Sequence, residues 1–268
     1  MTDKEWFEDE HFWEEYAPIM FDSQHWAEVP LVADSITRLA QLNLYDPALM
    51  QRNDAAAGPR VLDLCCGFGR ITLELARRGF AATGVDITKS YLQTAREDAA
   101  YENLDIEFIH ADARSFTRPE FFDVAVNLYI SFGYFENPDD DRLMVSNAYD
   151  SLKPGGAFII ETLGKEIAVR DFVEREWFTR AGLTVLTEYA PVDSWAGLKN
   201  RWILLKEGTW SERTFTQRLY AASELRRLLV DTGFAAVELY GDWNNGAYDN
   251  RAQMLIAVGR KSPRGGPR

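Results

Sequence analysis

The ten residues Val61-Leu62-Asp63-Leu64-Cys65-Cys66-Gly67-Phe68-Gly69-Arg70 restrict the fold more than any other stretch of the chain. They read as an apolar strand, a tight glycine turn and the start of a helix that continues through Ile71-Thr72-Leu73-Glu74-Leu75-Ala76. Gly67 and Gly69 lack a Cβ, so the backbone can turn sharply and come close to a ligand. A helix starting there points its free N–H groups at whatever sits above the turn. Asp63 precedes the first glycine by four residues, and its carboxylate suits an ammonium and repels phosphate. Dinucleotide loops carry a third glycine or alanine in G-x-G-x-x-G/A, and here Thr72 stands at that position.

From Arg60 onward, strand and helix patterns alternate. Strands are expected at Ala81–Val85 ending on Asp86, at Ile106–His110, at Phe122–Leu128 and at Ala157–Glu161. Helices are expected at Lys89–Tyr101 and Pro138–Leu152, and Lys153-Pro154-Gly155-Gly156 reads as the turn into the fifth strand. This rhythm predicts right-handed crossovers and a parallel sheet covered on both faces. After Thr162 the pattern becomes antiparallel, with strands expected at Leu183–Ala190, Lys199–Glu207 and Arg213–Tyr220. A helix from Ser223 to Asp231 and strands near Phe234–Tyr240 and Met254–Val258 complete the chain. Before Arg60, a helix capped by Asp3 is expected to end or be interrupted at Pro18, and a second to run from Ala27 to Leu42. Seven aromatic residues fall within residues 6–26, which suits a lid over a pocket.

The expected fold class is thus α/β: a Rossmann-like, doubly wound, mostly parallel seven-stranded sheet with an N-terminal helical cap and a small antiparallel sheet inserted after strand five. Residues 1–50 form the cap, with a linker at Gln51–Pro59. Residues 58–162 and 222–260 form the main domain, and residues 163–221 the insertion, either an acceptor lid or a dimerisation element. Residues 261–268 read as a disordered tail.

Charge narrows the partners. The net charge is −13, and residues 1–30 hold nine acidic side chains against one basic, Lys4. That surface lacks the basic footprint a phosphate backbone requires, so no nucleic acid partner is expected. No apolar run is long enough to span a bilayer and the N-terminus has no basic signal region, so no membrane association is expected. The two cysteines are adjacent and suit a reducing, cytoplasmic setting. The histidines His11, His25 and His110 are scattered without metal spacing.

In an open parallel sheet, ligands bind beyond the carboxyl ends of the strands where strand order reverses. Asp86 ends strand two and suits both hydroxyls of a ribose, in this reading or in that of a nicotinamide dinucleotide. Asp112, with Ala113 beside it, follows strand three and suits an adenine amino group. Asn127 and Tyr129 follow strand four at the middle of the crevice. S-adenosylmethionine answers all of these features, having an amino acid end, a sulfonium, a ribose and an adenine. In kind and order, Asp63, Gly67-x-Gly69, Asp86 and Asp112 resemble the cofactor motifs of class I S-adenosylmethionine-dependent methyltransferases, over about Arg60 to Glu161. The aromatic cap and inserted strands are more loosely similar to small-molecule members, including sugar N-methyltransferases.

The resemblance implies methyl transfer to N or O of a small-molecule acceptor by in-line displacement, leaving S-adenosylhomocysteine. It implies a cofactor site of Asp63, Cys65, Gly67, Gly69, Arg70, Asp86, Ile87, Asp112, Ala113, Asn127 and Tyr129, with Tyr16 from the cap at the amino acid end. No metal is implied. Tyr134 stands where the sugar enzymes carry a histidine, and is the candidate for positioning the acceptor or weakly accepting a proton. Trp177, Trp195, Trp202, Trp210 and Trp243 suit an apolar or cationic acceptor. A monomer or homodimer is expected. An NAD-dependent oxidoreductase, which Asp63 and Thr72 disfavour, and a non-catalytic binding protein remain as alternatives.

Overall fold

The computed structural model describes residues 5–42, 58–206 and 208–265. The expected Asp3 cap and most of the Gln51–Pro59 linker lie outside them. The N-terminal region holds α1 (Glu10–Met20), α2 (Ser23–Ala27) and α3 (Val29–Leu39). The main unit follows as β1 (Arg60–Leu64), α4 (Arg70–Arg77), β2 (Ala81–Asp86), α5 (Lys89–Tyr101), β3 (Glu107–His110), β4 (Phe122–Asn127), α6 (Pro138–Ser151) and β5 (Leu152–Thr162). A short helix, α7 (Lys165–Arg170), leads into β6 (Arg175–Arg180), β7 (Leu183–Val192), β8 (Gly197–Lys206) and β9 (Thr209–Arg218). The chain returns to the main sheet through α8 (Ala222–Thr232), β10 (Ala236–Tyr240) and β11 (Leu255–Arg260).

The main sheet has the order β10-β11-β5-β4-β1-β2-β3, and β11 alone runs against its neighbours. Strand order reverses at β1, which pairs in parallel with β2 on one side and β4 on the other. A crevice therefore opens above Leu64 and Asn127, the paired ends of β1 and β4. One face of the sheet is covered by α6 and α8, through Met144, Val145, Leu225 and Leu229 packed on Leu62, Phe158 and Ile160. The other face is covered by α3 and α4, where Val32, Ile36, Ile71 and Leu75 meet Val61, Val124 and Ile159.

Several boundaries differ from expectation for physical reasons. α3 belongs to the core layer, so only the chain before it can lie over the crevice. Pro18 sits inside α1, whose last turn still closes by Phe21 N–H to Ala17 O. Lys153–Gly156 bulges within one long strand, since pairing jumps from Phe122↔Leu152 to Val124↔Ala157. The second sheet has four strands, not three, because β6 is an edge strand with mostly exposed side chains and little apolar signal. β9 starts early, at Thr209, since its pairing with β8 begins at Lys206↔Thr209. Lys261 is docked and not part of a free tail: its ammonium donates to Tyr149 O and Leu152 O at 2.9 and 2.8 Å.

The glycine turn depends on packing as much as on ligand access. Gly69 has φ 74°, and a Cβ there would lie 2.9 Å from the Phe108 ring and 3.2 Å from the Ala95 Cβ. Gly69→Ala is therefore expected to destabilise the protein by about 2 kcal/mol, combining left-handed strain with overpacking. Urea unfolding checks this, and an unchanged midpoint would contradict it.

Candidate active site

A cavity of about 470 Å³ lies over the crevice. Its floor is the strand ends and the glycine loop. Its walls include Trp6, Phe12, Trp13 and Met20 from the N-terminal region, and its roof is the inner face of the second sheet, through Phe178, Asn200, Trp202, Phe215 and Gln217. Asp63, Cys65, Gly67, Arg70, Asp86, Ile87, Asp112, Ala113, Tyr129 and Tyr134, scattered over more than seventy residues of sequence, all line it.

Three expected site residues stand elsewhere. Tyr16 has no exposed surface; its ring stacks on Phe12 and its hydroxyl donates to Trp202 O at 3.3 Å, so it joins the cap to the second sheet. Asn127 spends its amide on Leu64 O at 3.0 Å, bracing β4 against β1 below the cavity. Gly69 lies behind the loop against Phe108. Of the tryptophans, Trp202 and Trp243 reach the cavity, whereas Trp177 and Trp210 are 71% and 66% exposed and Trp195 packs on Phe172.

Of the carboxylates at the strand ends, Asp63 and Asp86 are buried and Asp112 is half-buried, and all three are held by the fold. Asp63 accepts the Thr72 hydroxyl at 2.6 Å, so the residue that replaces the third glycine anchors the acid before the turn. Burial pushes Asp63 up to about 7, with the Thr72 hydroxyl opposing. Asp86 accepts Gly67 N–H and Thr88 N–H, each at 2.7 Å, which shapes the loop and leaves further lone pairs toward the cavity. Asp112 grips the Arg114 guanidinium at 2.6 and 2.9 Å. Arg114 in turn holds Glu5 and Asp140, tying the N-terminal region to the core.

Two further residues are decisive. Arg70 is 4% exposed and donates to His25 O at 3.0 Å, and its guanidinium lies over the Tyr129 and Phe21 rings at 4.1 and 4.9 Å. Among the described residues no carboxylate lies within ion-pair distance of it. Burial lowers its pKa. Glu161 ends β5 with 6% exposure, and burial pushes it up to about 7 while the Tyr129 N–H opposes. The rule that selects Asp86 and Asp112, a carboxylate at a strand end, would have selected Glu161 had it been applied to strand five. Glu28, His25 and Met254 also line the cavity, and no local sequence signal marks them.

Residues 61–156, containing the glycine loop, Asp86 and Asp112, match the family model described as a methyltransferase domain. This stretch of the chain is a methyltransferase domain. The chain is 27% identical over 206 residues to a glycine/sarcosine N-methyltransferase of Aphanothece halophytica, covering 75% of this chain and 76% of the relative. It is 37% identical over 117 residues to a ubiquinone biosynthesis O-methyltransferase of Nitrosococcus oceani, where the match spans 42% of this chain and 48% of the relative. The fold is similar to that of an S-adenosylmethionine-dependent methyltransferase from Clostridium acetobutylicum, with TM-score 0.71, 14% identity and coverage of 94% and 97% of the two chains. Among the described residues no group of three or more His, Cys, Asp or Glu is placed to hold a metal, and no helix is long and apolar enough to cross a membrane.

The raised Asp63 gives a stability test. The folded protein retains a proton there that the unfolded chain, with an ordinary value of 3.8, has released. This contribution is complete below about pH 4 and is lost as pH rises through 7, with a slope approaching about 1.4 kcal/mol per pH unit. Asp63→Asn is expected to lose less stability between pH 5 and 8 than the wild type. Parallel denaturation series check this, and identical slopes would contradict it.

Proposed function

We propose that this cavity binds S-adenosylmethionine and a small-molecule acceptor side by side, and that the protein transfers a methyl group to N or O of that acceptor. The observation that carries the reading is the pairing of buried Asp63 with buried, unpaired Arg70 on one cavity wall. Together they complement an ammonium and a carboxylate, the two charges of an amino acid end. Arg70 then does what sequence reasoning gave to Tyr16. Asp86 takes the ribose hydroxyls with lone pairs left over from Gly67 and Thr88, and Asp112, Ala113 and Ile87 take the adenine. Five acids on the cavity wall, Glu28, Asp63, Asp86, Asp112 and Glu161, would repel the diphosphate of a dinucleotide.

S-adenosylmethionine supplies an activated methyl group on a sulfonium. The protein's share is alignment and exclusion of water. Phe215, Trp202, Trp6 and Trp13 wall off the acceptor side, and the second sheet acts as the acceptor lid, its inner face roofing the same cavity. Tyr134 stands edge-on to Trp6 with ring centroids 4.8 Å apart. Burial raises its hydroxyl, so it remains a neutral phenol that positions the acceptor. Two free thiols suit a reducing, cytoplasmic location.

Calorimetry with S-adenosylmethionine, S-adenosylhomocysteine and NAD tests the reading: the first two bind and NAD does not. NAD binding without S-adenosylmethionine binding would overturn it. Asp86→Ala is expected to weaken S-adenosylhomocysteine binding more than tenfold through loss of charge-assisted hydrogen bonds. Unchanged affinity would remove the ribose from this position.

A further inference from the structure

Glu161 is a strand-end acid of the cavity with no cation beside it among the described residues. Asp63 is bound to Thr72, Asp86 to two backbone N–H groups, and Asp112 to Arg114. Glu161 is met by backbone N–H groups, that of Tyr129 through Oε2 and, more weakly, that of Ile130. Among the described residues, no lysine, arginine or histidine lies within ion-pair distance of it. A carboxylate this buried, on an aromatic-walled cavity, is costly unless a cation comes to it.

The backbone is bent to hold this group. Tyr129 and Ile130 have φ 55° and 62°, consecutive left-handed residues without glycine, and one of them is β-branched. Left-handed backbone is costly for such residues and persists only where the surroundings impose it. The bend turns the Tyr129 and Ile130 N–H groups toward Glu161. Strain gathered at one buried side chain facing a cavity marks a group held for use.

We propose that Glu161 receives the acceptor as an ammonium and takes one proton from it, so that the methylated atom is an amine nitrogen. The inference rests on the reading of the cavity as a methyl-transfer site. The balance is simple. The ammonium gives a proton to the Glu161 carboxylate, and the freed nitrogen lone pair bonds the methyl carbon. The carbon–sulfur bond breaks with its electron pair left on sulfur. The product leaves as the methylated ammonium, and the Glu161 proton passes to solvent. Tyr134 cannot take this role as easily, because burial disfavours its phenolate. A phenol or alcohol acceptor brings no cation and would leave Glu161 without a counter-charge.

The charged and titratable groups facing Glu161 are Glu28 at the turn into α3, Arg70 at the start of α4, and Tyr129 and Tyr134 on the segment after β4. Glu28 and burial favour the proton on Glu161; Arg70 and the Tyr129 N–H oppose it. The balance lies at about 7, which lets the group gain and lose a proton near neutral pH.

Benzylamine and its neutral counterpart benzyl alcohol are suitable probes, titrated calorimetrically into the full-length protein saturated with S-adenosylhomocysteine. The wild type is expected to bind benzylamine at least tenfold more tightly than benzyl alcohol, with benzylamine affinity rising from pH 6 to 8 as Glu161 ionises. Glu161→Gln keeps an oxygen for the Tyr129 N–H. It is expected to lose at least tenfold in benzylamine affinity and the pH dependence, while S-adenosylhomocysteine affinity stays within twofold. Equal binding of the two probes by the wild type, which requires no variant to fold, overturns the proposal. So does unchanged benzylamine affinity in Glu161→Gln, or failure of benzylamine to bind. Failure of S-adenosylhomocysteine to bind the wild type overturns the parent reading instead.

Discussion

Everything at the cavity depends on carboxylates buried at the carboxyl ends of parallel strands. Burying a charge is tolerated only with compensating hydrogen bonds or a partner ion. Here the compensation comes mostly from the local backbone and one hydroxyl. Asp86 is met by Gly67 and Thr88 N–H, and Asp63 by Thr72. These bonds fix the glycine loop, and the loop fixes the start of α4 and so the placement of Arg70. The acids therefore stay poised, each with unused lone pairs, in a space whose one buried guanidinium, among the described residues, has no anionic partner. Such a charge pattern is complementary to a ligand that is itself a zwitterion carrying an extra positive charge.

The acidic N-terminal region takes its meaning from the same network. Its charges are partners for basic groups on the second sheet, in the turn after β3 and within the region itself. Glu5 and Glu8 meet Arg114, Glu15 meets Arg213, and Asp22 meets Arg180 and His25. Glu10 accepts Ser90 N–H at 2.7 Å in the first turn of α5. Between these polar contacts Trp6 stacks on Phe215 with centroids 4.4 Å apart. The segment is thus clamped over the crevice from several sides. Because Arg114 also grips Asp112, the clamp and the expected adenine position share one guanidinium.

The glycine loop, the order of strands and helices, and the strand-end acids were legible in the sequence because each is a local pattern. Val61–Arg70 contains its own strand, turn and helix start, and Asp86 and Asp112 follow from a rule about strand ends. What was illegible depends on tertiary contacts. Tyr16 has the spacing of a helix face, but only the packing of β8 against α1 decides that its hydroxyl meets Trp202 and not a ligand. Asn127 sits at a strand end like the others, yet its amide finds Leu64 O across the neighbouring strand first. β6 carries polar side chains because it is an edge, and its sequence alternates too weakly to announce a strand. Glu161 was visible as a letter at the end of a strand, but its importance lies in the absence of a cation beside it.

A crystal structure of the protein with S-adenosylhomocysteine tests the central claim most directly. The account predicts the adenine beside Asp112 and Ala113, the ribose hydroxyls on Asp86, the carboxylate on Arg70, and the sulfur facing the space between Tyr134 and Glu161. A ligand whose amino acid end lies away from Asp63 and Arg70, or whose sulfur faces away from Glu161, would contradict it.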